Sequence, residues 1–143
     1  MAMTNKAVSK RWKTSTKTRR LVPSEHEEQS VLIQWAALAQ PNQPELGLLF
    51  AIPNGGHRLP SVAVAMKREG VKAGVPDLML PVARCGYHGL FVEMKAESGS
   101  LAPEQRRWRD LLISQGYGHA VCYGFDAARQ VLVDYLADNW RVS

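Results

Sequence analysis

Three charged side chains have types and spacing that would allow them to hydrolyse a phosphodiester. Asp77 follows Pro76, and sixteen residues later Glu93 and Lys95 stand on either side of Met94. Side chains alternate along a β-strand, so Glu93 and Lys95 would project from the same face. Two carboxylates, with the Met94 carbonyl as a third ligand, suit Mg²⁺ or Mn²⁺ and leave positions for water and phosphate. A lysine beside them can polarise the attacking water, so the set predicts metal-dependent hydrolysis.

The same spacing also has an ordinary structural interpretation, a turn aspartate followed by a solvated strand face. The neighbouring residues count against it, because Leu78–Leu80 and Leu90–Val92 are apolar and the charges interrupt strands that otherwise look like core. Charges in such positions need partners or a metal. The spacing alone leaves both interpretations open.

Helices and strands are predicted around these residues. Ser24 and Glu27 fit a capping box, which begins a helix that extends to about Ala39. The order of the elements predicts an α/β domain with a central mixed sheet flanked by helices. The other predicted elements are strands at residues 48–52, 77–80, 90–95 and 120–123, the second and third forming a hairpin, helices at about 61–69 and 103–115, and a last helix capped by Asp126.

Length and composition exclude several classes of protein. The 143 residues fit one domain, and the longest apolar run is far too short to span a membrane. The two cysteines belong to no Cys/His cluster, which argues against a disulfide scaffold and against structural zinc. We therefore expect a cytoplasmic protein without a membrane partner.

The basic charge is concentrated at the N-terminus. Residues 1–24 hold seven lysines and arginines and no acid, whereas the remaining residues carry a small net negative charge within a total of +5. We predict that residues 1–23 form a basic, flexible arm that binds polyanions, and that residues 24–143 form the domain. The alternative is a solubilising leader or a transit peptide.

Four segments carry a specific resemblance: Ile52–Gly56, Gly70–Asp77, Phe91–Lys95 and Leu101–Gln105. In order and spacing they closely resemble the virus-type replication-repair nuclease (VRR-NUC) family, and in particular the small stand-alone members found in phages and bacteria. The resemblance spans about residues 24–136. It implies the PD-(D/E)XK, restriction-endonuclease-like fold, a divalent metal and action on DNA.

The resemblance also implies roles for single residues. Asp77 and Glu93 would be metal ligands and Lys95 the catalytic lysine. The family's first-helix acid, a further metal ligand, falls on Glu25, with Glu28 on the same helix face as the competing candidate.

A glutamine and a loop complete the candidate site. Gln105 matches the family's helix glutamine, which would orient groups near the lysine, although Ala102 stands where a serine N-cap is expected. The loop after the first predicted strand is a candidate contact for DNA phosphates, with an ordinary turn as the alternative. The candidate DNA-binding residues are Asn54, Gly55, Gly56, His57, Arg58 and Lys72.

The predicted function is that of a structure-selective endonuclease acting on branched or double-stranded DNA in repair or recombination. One small domain carries one site and cuts one strand, so resolution of a four-way (Holliday) junction would require a C₂ homodimer. Tyr135, Leu136 and Trp140 either form the dimer contact or complete the core. The alternatives are a flap or restriction-type nuclease, and a non-catalytic DNA-binding protein that keeps the fold.

Overall fold

The structure is a computed structural model that describes residues 22–54 and 59–143. Most of the predicted N-terminal arm, residues 1–21, and most of the candidate DNA-binding loop, residues 55–58, therefore lie outside the described residues. Within the described ranges, no helix is long and apolar enough to cross a membrane. The elements are α1 (Glu25–Ala39), a 3₁₀ helix (Pro44–Leu48), β1 (Phe50–Ala51), α2 (Pro60–Arg68), β2 (Leu78–Leu80), β3 (Leu90–Lys95), α3 (Pro103–Ser114), β4 (Gly118–Tyr123) and α4 (Phe125–Leu136).

The strands form a mixed sheet in the order β1-β2-β3-β4. β1 pairs with β2 and β2 with β3 in antiparallel fashion, which confirms the predicted hairpin. β3 and β4 are parallel, and the crossover that a parallel pair needs is provided by α3. The predicted α/β architecture is confirmed.

The two faces of the sheet differ in character. In the β3–β4 register Val92 pairs with Ala120 and Met94 pairs with Cys122, and all four side chains are buried. This face packs against α1 and α4 and forms the hydrophobic core. The opposite face carries Glu93, whose side chain receives a hydrogen bond from α3. The core residues contributed by the two helices are Leu32, Ala36, Ala128, Leu132, Tyr135 and Leu136.

Local sequence signals set the start of α1 and the end of α2, close to the predicted positions. The Ser24 hydroxyl accepts a hydrogen bond from the Glu27 N–H at 3.2 Å, and the Glu27 carboxylate accepts from the Ser24 N–H at 2.7 Å. Gly70 follows α2 with φ of 99°, a conformation that glycine adopts without strain. The Val71 N–H then donates to the Met66 carbonyl at 3.0 Å and closes the helix end.

Two predictions about the elements were wrong. The strand expected at residues 48–52 is only Phe50–Ala51, because Pro44 begins a 3₁₀ helix that extends to Leu48. β1 is also an edge strand, and Phe50 is 49% exposed. Asp126 does not cap α4, since the helix begins at Phe125 and its N-cap residue is Gly124.

Candidate active site

Asp77 lies at the point where the β2–β3 hairpin stops pairing. The last paired residues are Leu78 and Val92. Beyond them, the Asp77 Oδ2 atom accepts a hydrogen bond from the Met94 N–H at 2.8 Å. The carboxylate thus continues the hydrogen-bond ladder in place of a backbone carbonyl, and this holds it against β3 beside Glu93.

The same contact orients the Met94 carbonyl. In an extended strand the N–H and C=O of one residue point to the same edge of the strand. Because the Met94 N–H points to Asp77, the Met94 carbonyl is directed to the same side. The backbone ligand predicted from the sequence therefore lies on the side of β3 where Asp77 is.

Glu93 and Lys95 form a buried ion pair on the α3 face of the sheet. The Lys95 Nζ lies 3.1 Å from the Glu93 Oε1, and the two side chains are 10% and 2% exposed. Gln105 Nε2 donates to the same oxygen at 2.5 Å. Gln105 Oε1 accepts from the Ala102 N–H at 2.9 Å, so the first turn of α3 fixes the amide. Ala102 has no hydroxyl, so this is only half of a capping box.

The second oxygen of Glu93 is buried without a partner. Glu93 Oε2 has no hydrogen-bond partner among the described residues. Burial and the neighbouring Asp77 carboxylate raise the pKa of Glu93 to about 7, and burial also raises the pKa of Asp77. A divalent cation beside these oxygens would supply the missing partner and favour the charged forms. The donor set therefore fits a hard divalent cation.

Side chains alone do not complete a metal site. In residues 22–54 and 59–143, no group of three or more histidine, cysteine, aspartate or glutamate side chains could hold a metal ion. A cation here would be bound by the carboxylates of Asp77 and Glu93 and the carbonyl of Met94, with water and phosphate in the other positions. Mg²⁺ is commonly bound in this way, through one or two carboxylates and substrate phosphates.

The two candidates for the first-helix acid point to different places. The Glu25 Oε1 accepts a hydrogen bond from the Ala96 N–H at 3.1 Å, directly after Lys95. Its charge also contributes, after burial, to the raised pKa values of Asp77 and Glu93.

Glu28 instead accepts a hydrogen bond at the N-terminal end of α4. Its Oε2 accepts from the Phe125 N–H at 2.7 Å, at the start of α4. A carboxylate at this position stabilises the first turn of a helix. The structure therefore places the Glu25 carboxylate at the backbone directly after Lys95, whereas the Glu28 carboxylate is bound to the start of α4.

The candidate DNA-binding residues are described in part. Asn54 Nδ2 donates to the Val75 carbonyl at 2.5 Å and so ties the end of the β1 segment to the loop before Asp77. Lys72 is exposed and lines a surface cavity of about 230 Å³ together with Arg107. Gly55, Gly56, His57 and Arg58 lie outside the described residues.

Sequence reasoning missed one feature of the site. Tyr123 pairs with Lys95 in the β3–β4 register and is 51% exposed. The pairing of two strands separated by a helix leaves no local signal in the sequence, so only the fold brings these residues together. Both line a cavity of about 370 Å³, whose other lining residues are Val22, Pro23, Glu28, Ala96, Glu97 and Gly124.

Comparisons with known proteins point to one domain family. The family model of the VRR-NUC domain matches residues 13–126, a span that includes Asp77, Glu93 and Lys95. A solved structure described as a VRR_NUC domain protein is similar to the chain, with 30% sequence identity and a TM-score of 0.66. That similarity covers 80% of this chain and 89% of the other. A comparison with curated proteins gives no match.

Proposed function

The chain belongs to the VRR-NUC domain family and has its PD-(D/E)XK nuclease fold, and from this premise we propose that it is a Mg²⁺- or Mn²⁺-dependent endodeoxyribonuclease. The observation that carries the metal dependence is the buried Glu93 Oε2, which has no partner among the described residues. The Asp77 charge acts on Glu93, and Asp77 accepts the Met94 N–H, so the Met94 carbonyl is directed to the side of Asp77. Burying a carboxylate oxygen without a hydrogen bond costs free energy of folding, and a bound cation would offset that cost.

Each residue of the site has a distinct part in the proposed reaction. Asp77, Glu93 and the Met94 carbonyl would hold the cation, which lowers the pKa of water and offsets charge on the phosphate. The Lys95 ammonium, anchored to Glu93, would hold the attacking water and face the developing negative charge. Gln105 fixes the Glu93 carboxylate from α3 and is a positioning residue.

Glu25 would act from the first helix. Its carboxylate accepts the Ala96 N–H, so it fixes the chain directly after Lys95. We propose that it completes the hydration of the cation through water, because no third carboxylate reaches a ligand position among the described residues. A water-mediated role suits Mg²⁺, which usually keeps several of its waters.

The basic test is cleavage of supercoiled, linear and branched DNA with Mg²⁺ or Mn²⁺, with and without a chelator. We expect cleavage that the chelator abolishes and that excess cation restores. The competing hypothesis is a DNA-binding protein that keeps the fold without the activity. Tight binding with no cut in any substrate, at saturating Mg²⁺ and Mn²⁺, would favour that hypothesis.

We further propose that the preferred substrate is branched DNA, cut by a homodimer at four-way junctions. Resolution needs two symmetric cuts, and two copies related by a C₂ axis place identical sites on opposite strands. Tyr135 is fully buried, and Trp140 packs edge-on against Tyr135 and Tyr87. Tyr135 and the nearly buried Leu136 belong to the core and Trp140 packs against it, which favours their core role over that of a dimer contact.

Other apolar side chains are available for contact with a second copy. They lie on and around the edge strand β1 and on the exposed helix α2, which buries no residue. A second copy that covered them would remove apolar surface from water. The most exposed are Leu48 at 52%, Phe50 at 49%, Leu59 at 71% and Val64 at 57%.

We predict a sedimenting species of twice the 15.9 kDa chain mass at micromolar concentration. Mapping the nicks on a four-way junction should give paired cuts at symmetric positions on opposite strands. A monomer that stays monomeric on junction DNA would contradict the dimer. Cuts on one strand of a flap, with junctions left intact, would favour the flap nuclease. Cuts at one sequence in plain duplex would favour the restriction-type alternative.

We predict that deletion of residues 1–21 weakens binding to all DNA substrates about equally and flattens the salt dependence. The segment carries seven lysines and arginines, and it joins the domain at Val22, which lines the cavity that contains Lys95. On duplex DNA each neutralised phosphate contributes up to about 0.9 to the slope of log affinity against log salt. The deletion retains Ser24 and thus the cap of α1.

The matched control is the full-length chain with those seven cations replaced by glutamine, which keeps length but removes charge. It should behave like the deletion. An unchanged slope in both variants would show that the segment does not touch DNA, and a slope changed only by deletion would show that its charge is not the cause.

A further inference from the structure

Tyr123 stands next to the candidate catalytic lysine on the surface of the sheet. The β3–β4 register pairs it with Lys95, and paired residues of neighbouring parallel strands project from the same face. The strands lie about 4.8 Å apart, so the two side chains are neighbours. Lys95 is nearly buried, whereas Tyr123 is 51% exposed.

The packing of Tyr123 differs from that of the other three tyrosines. Each of the others packs edge-on against another aromatic ring, and among the described residues Tyr123 packs against none. Its hydroxyl also makes no hydrogen bond within that part of the chain, whereas the Tyr135 hydroxyl donates to the Val82 carbonyl at 2.6 Å. Tyr123 is thus not part of the hydrophobic core formed by the described residues. The aromatic pairs of the other tyrosines are Tyr87–Trp140, Tyr117–Phe91 and Tyr135–Trp140.

The ring borders a cavity of about 370 Å³ that also contains Lys95. This volume falls in the range of sites that hold small organic groups. Glu28 and Glu97 line the cavity as well, so a phosphate would be repelled near them and attracted only at the side with Lys95. A neutral planar group would not be repelled, and its phosphate could remain at the Lys95 side.

We propose that Tyr123 is a stacking platform for one unpaired nucleobase next to the phosphate that is cut. This inference rests on the proposed nuclease function and deepens it. The exposed ring that borders the cavity would stack on the base, and the neighbouring lysine would face the phosphate of the same nucleotide. A base stacked inside a duplex cannot reach the ring, so the site selects DNA whose base beside the cut is unpaired or easily unpaired.

A photocrosslink tests the contact without requiring cleavage. The Glu93→Gln protein is bound to a set of branched DNAs, each carrying 5-iodouracil at one unpaired position near the branch point, and the crosslinked peptide is identified by mass spectrometry. We expect the crosslink at Tyr123, and much less of it when the same base is fully paired. A crosslink elsewhere, or one that pairing does not change, would overturn the proposal. Since this readout is binding, it stays informative if the protein cuts nothing.

A comparison of variants on two substrates tests the energetic role. On DNA with the unpaired base we expect Tyr123→Leu to lower kcat/KM by about fivefold to a hundredfold, the range for loss of one stacked base. Tyr123→Phe keeps the ring and should cut like the wild type. On DNA with an abasic nucleotide at that position, Tyr123→Leu and wild type should cut equally.

Three results would contradict stacking. Equal activity of Tyr123→Leu and wild type on the unpaired base would exclude a role for the ring. A loss in Tyr123→Phe as large as in Tyr123→Leu would assign the role to the hydroxyl. A loss in Tyr123→Leu that persists on the abasic substrate, or that follows a lower melting temperature, would mark a structural role. Absence of cleavage by the wild type itself would instead contradict the proposed function.

Discussion

Asp77→Asn and Glu93→Gln are each expected to abolish DNA cleavage while DNA binding stays intact or becomes stronger. Each substitution removes one of the two carboxylates that would hold the cation, and also a negative charge that repels phosphate. A cation in such a site lowers the barrier by several kcal/mol, so we expect a loss of about a thousandfold or more. Single-turnover cleavage at saturating Mg²⁺ and a binding titration measure the two effects separately.

The matched control is Asp126→Asn, which makes the same chemical change at a side chain that is 89% exposed on α4. It should cleave at the wild-type rate. Wild-type rates in Asp77→Asn or Glu93→Gln at saturating Mg²⁺ would contradict the assignment of the site, and a parallel loss of DNA binding in both would point to misfolding instead.

Thermal stability provides an independent test of the Glu93→Gln variant. Burial raises the pKa of Glu93 from 4.5 to about 7, so the folded metal-free protein loses stability as pH rises through that window. Glu93→Gln cannot ionise and should escape this loss, which corresponds to at most about 3 kcal/mol at pH 8. With a chelator present, the variant should therefore melt above the wild type at pH 8 and near it at pH 5. A lower melting temperature of the variant at pH 8 would contradict the raised pKa of Glu93.

The parts of the fold that were predictable depend on short-range sequence signals. β3 was predicted as residues 90–95 and is Leu90–Lys95, because alternation and apolar flanks are properties of the strand itself. The start of α1 was predicted because Ser24 and Glu27 are three residues apart. These features require no knowledge of the remaining structure.

The wrong predictions concern elements whose ends depend on a residue distant in sequence or on a position at the edge of the sheet. The N–H of Phe125 at the start of α4 is satisfied by Glu28, which lies 97 residues away in sequence, so Asp126 was a reasonable but wrong choice of cap. The strand expected from Leu48 is reduced to Phe50–Ala51, after a 3₁₀ helix that ends at Leu48, and it lies at the sheet edge, where no second neighbour enforces pairing. Secondary-structure propensities of the sequence do not include such tertiary contacts.

In the candidate active site, too, some features follow from the local sequence and others depend on tertiary contacts. The shared face of Glu93 and Lys95 follows from strand alternation and is observed. The choice between Glu25 and Glu28 did not follow from sequence, because both lie on one face of α1 and only their tertiary partners separate them. The contact of Gln105 with Glu93 was implied by family resemblance, and its physical basis is the turn of α3 that fixes the amide.

The second large effect is expected for Lys95→Ala, which should remove most activity with little loss of fold. A positioned group that assists proton movement contributes about a hundredfold to ten-thousandfold, and Lys95 is held for this role at 3.1 Å from Glu93. Breaking a buried ion pair usually destabilises a protein strongly, because one charge is left without its partner. Here Glu93 can take up a proton instead, since burial already raises its pKa to about 7.

The destabilisation at neutral pH should therefore be small, and it should grow as pH rises above 7 and Glu93 is forced to ionise. Lys95→Met keeps the packed side-chain stem without the charge and should be as inactive as Lys95→Ala, whereas Lys67→Ala, an exposed lysine on α2, should cut normally. Single-turnover rates and melting temperatures at pH 6.5 and 8.5 measure both effects. If Lys95→Met lost stability in proportion to activity at pH 6.5, the lysine would be a structural partner of Glu93 and not a participant in the hydrolytic step.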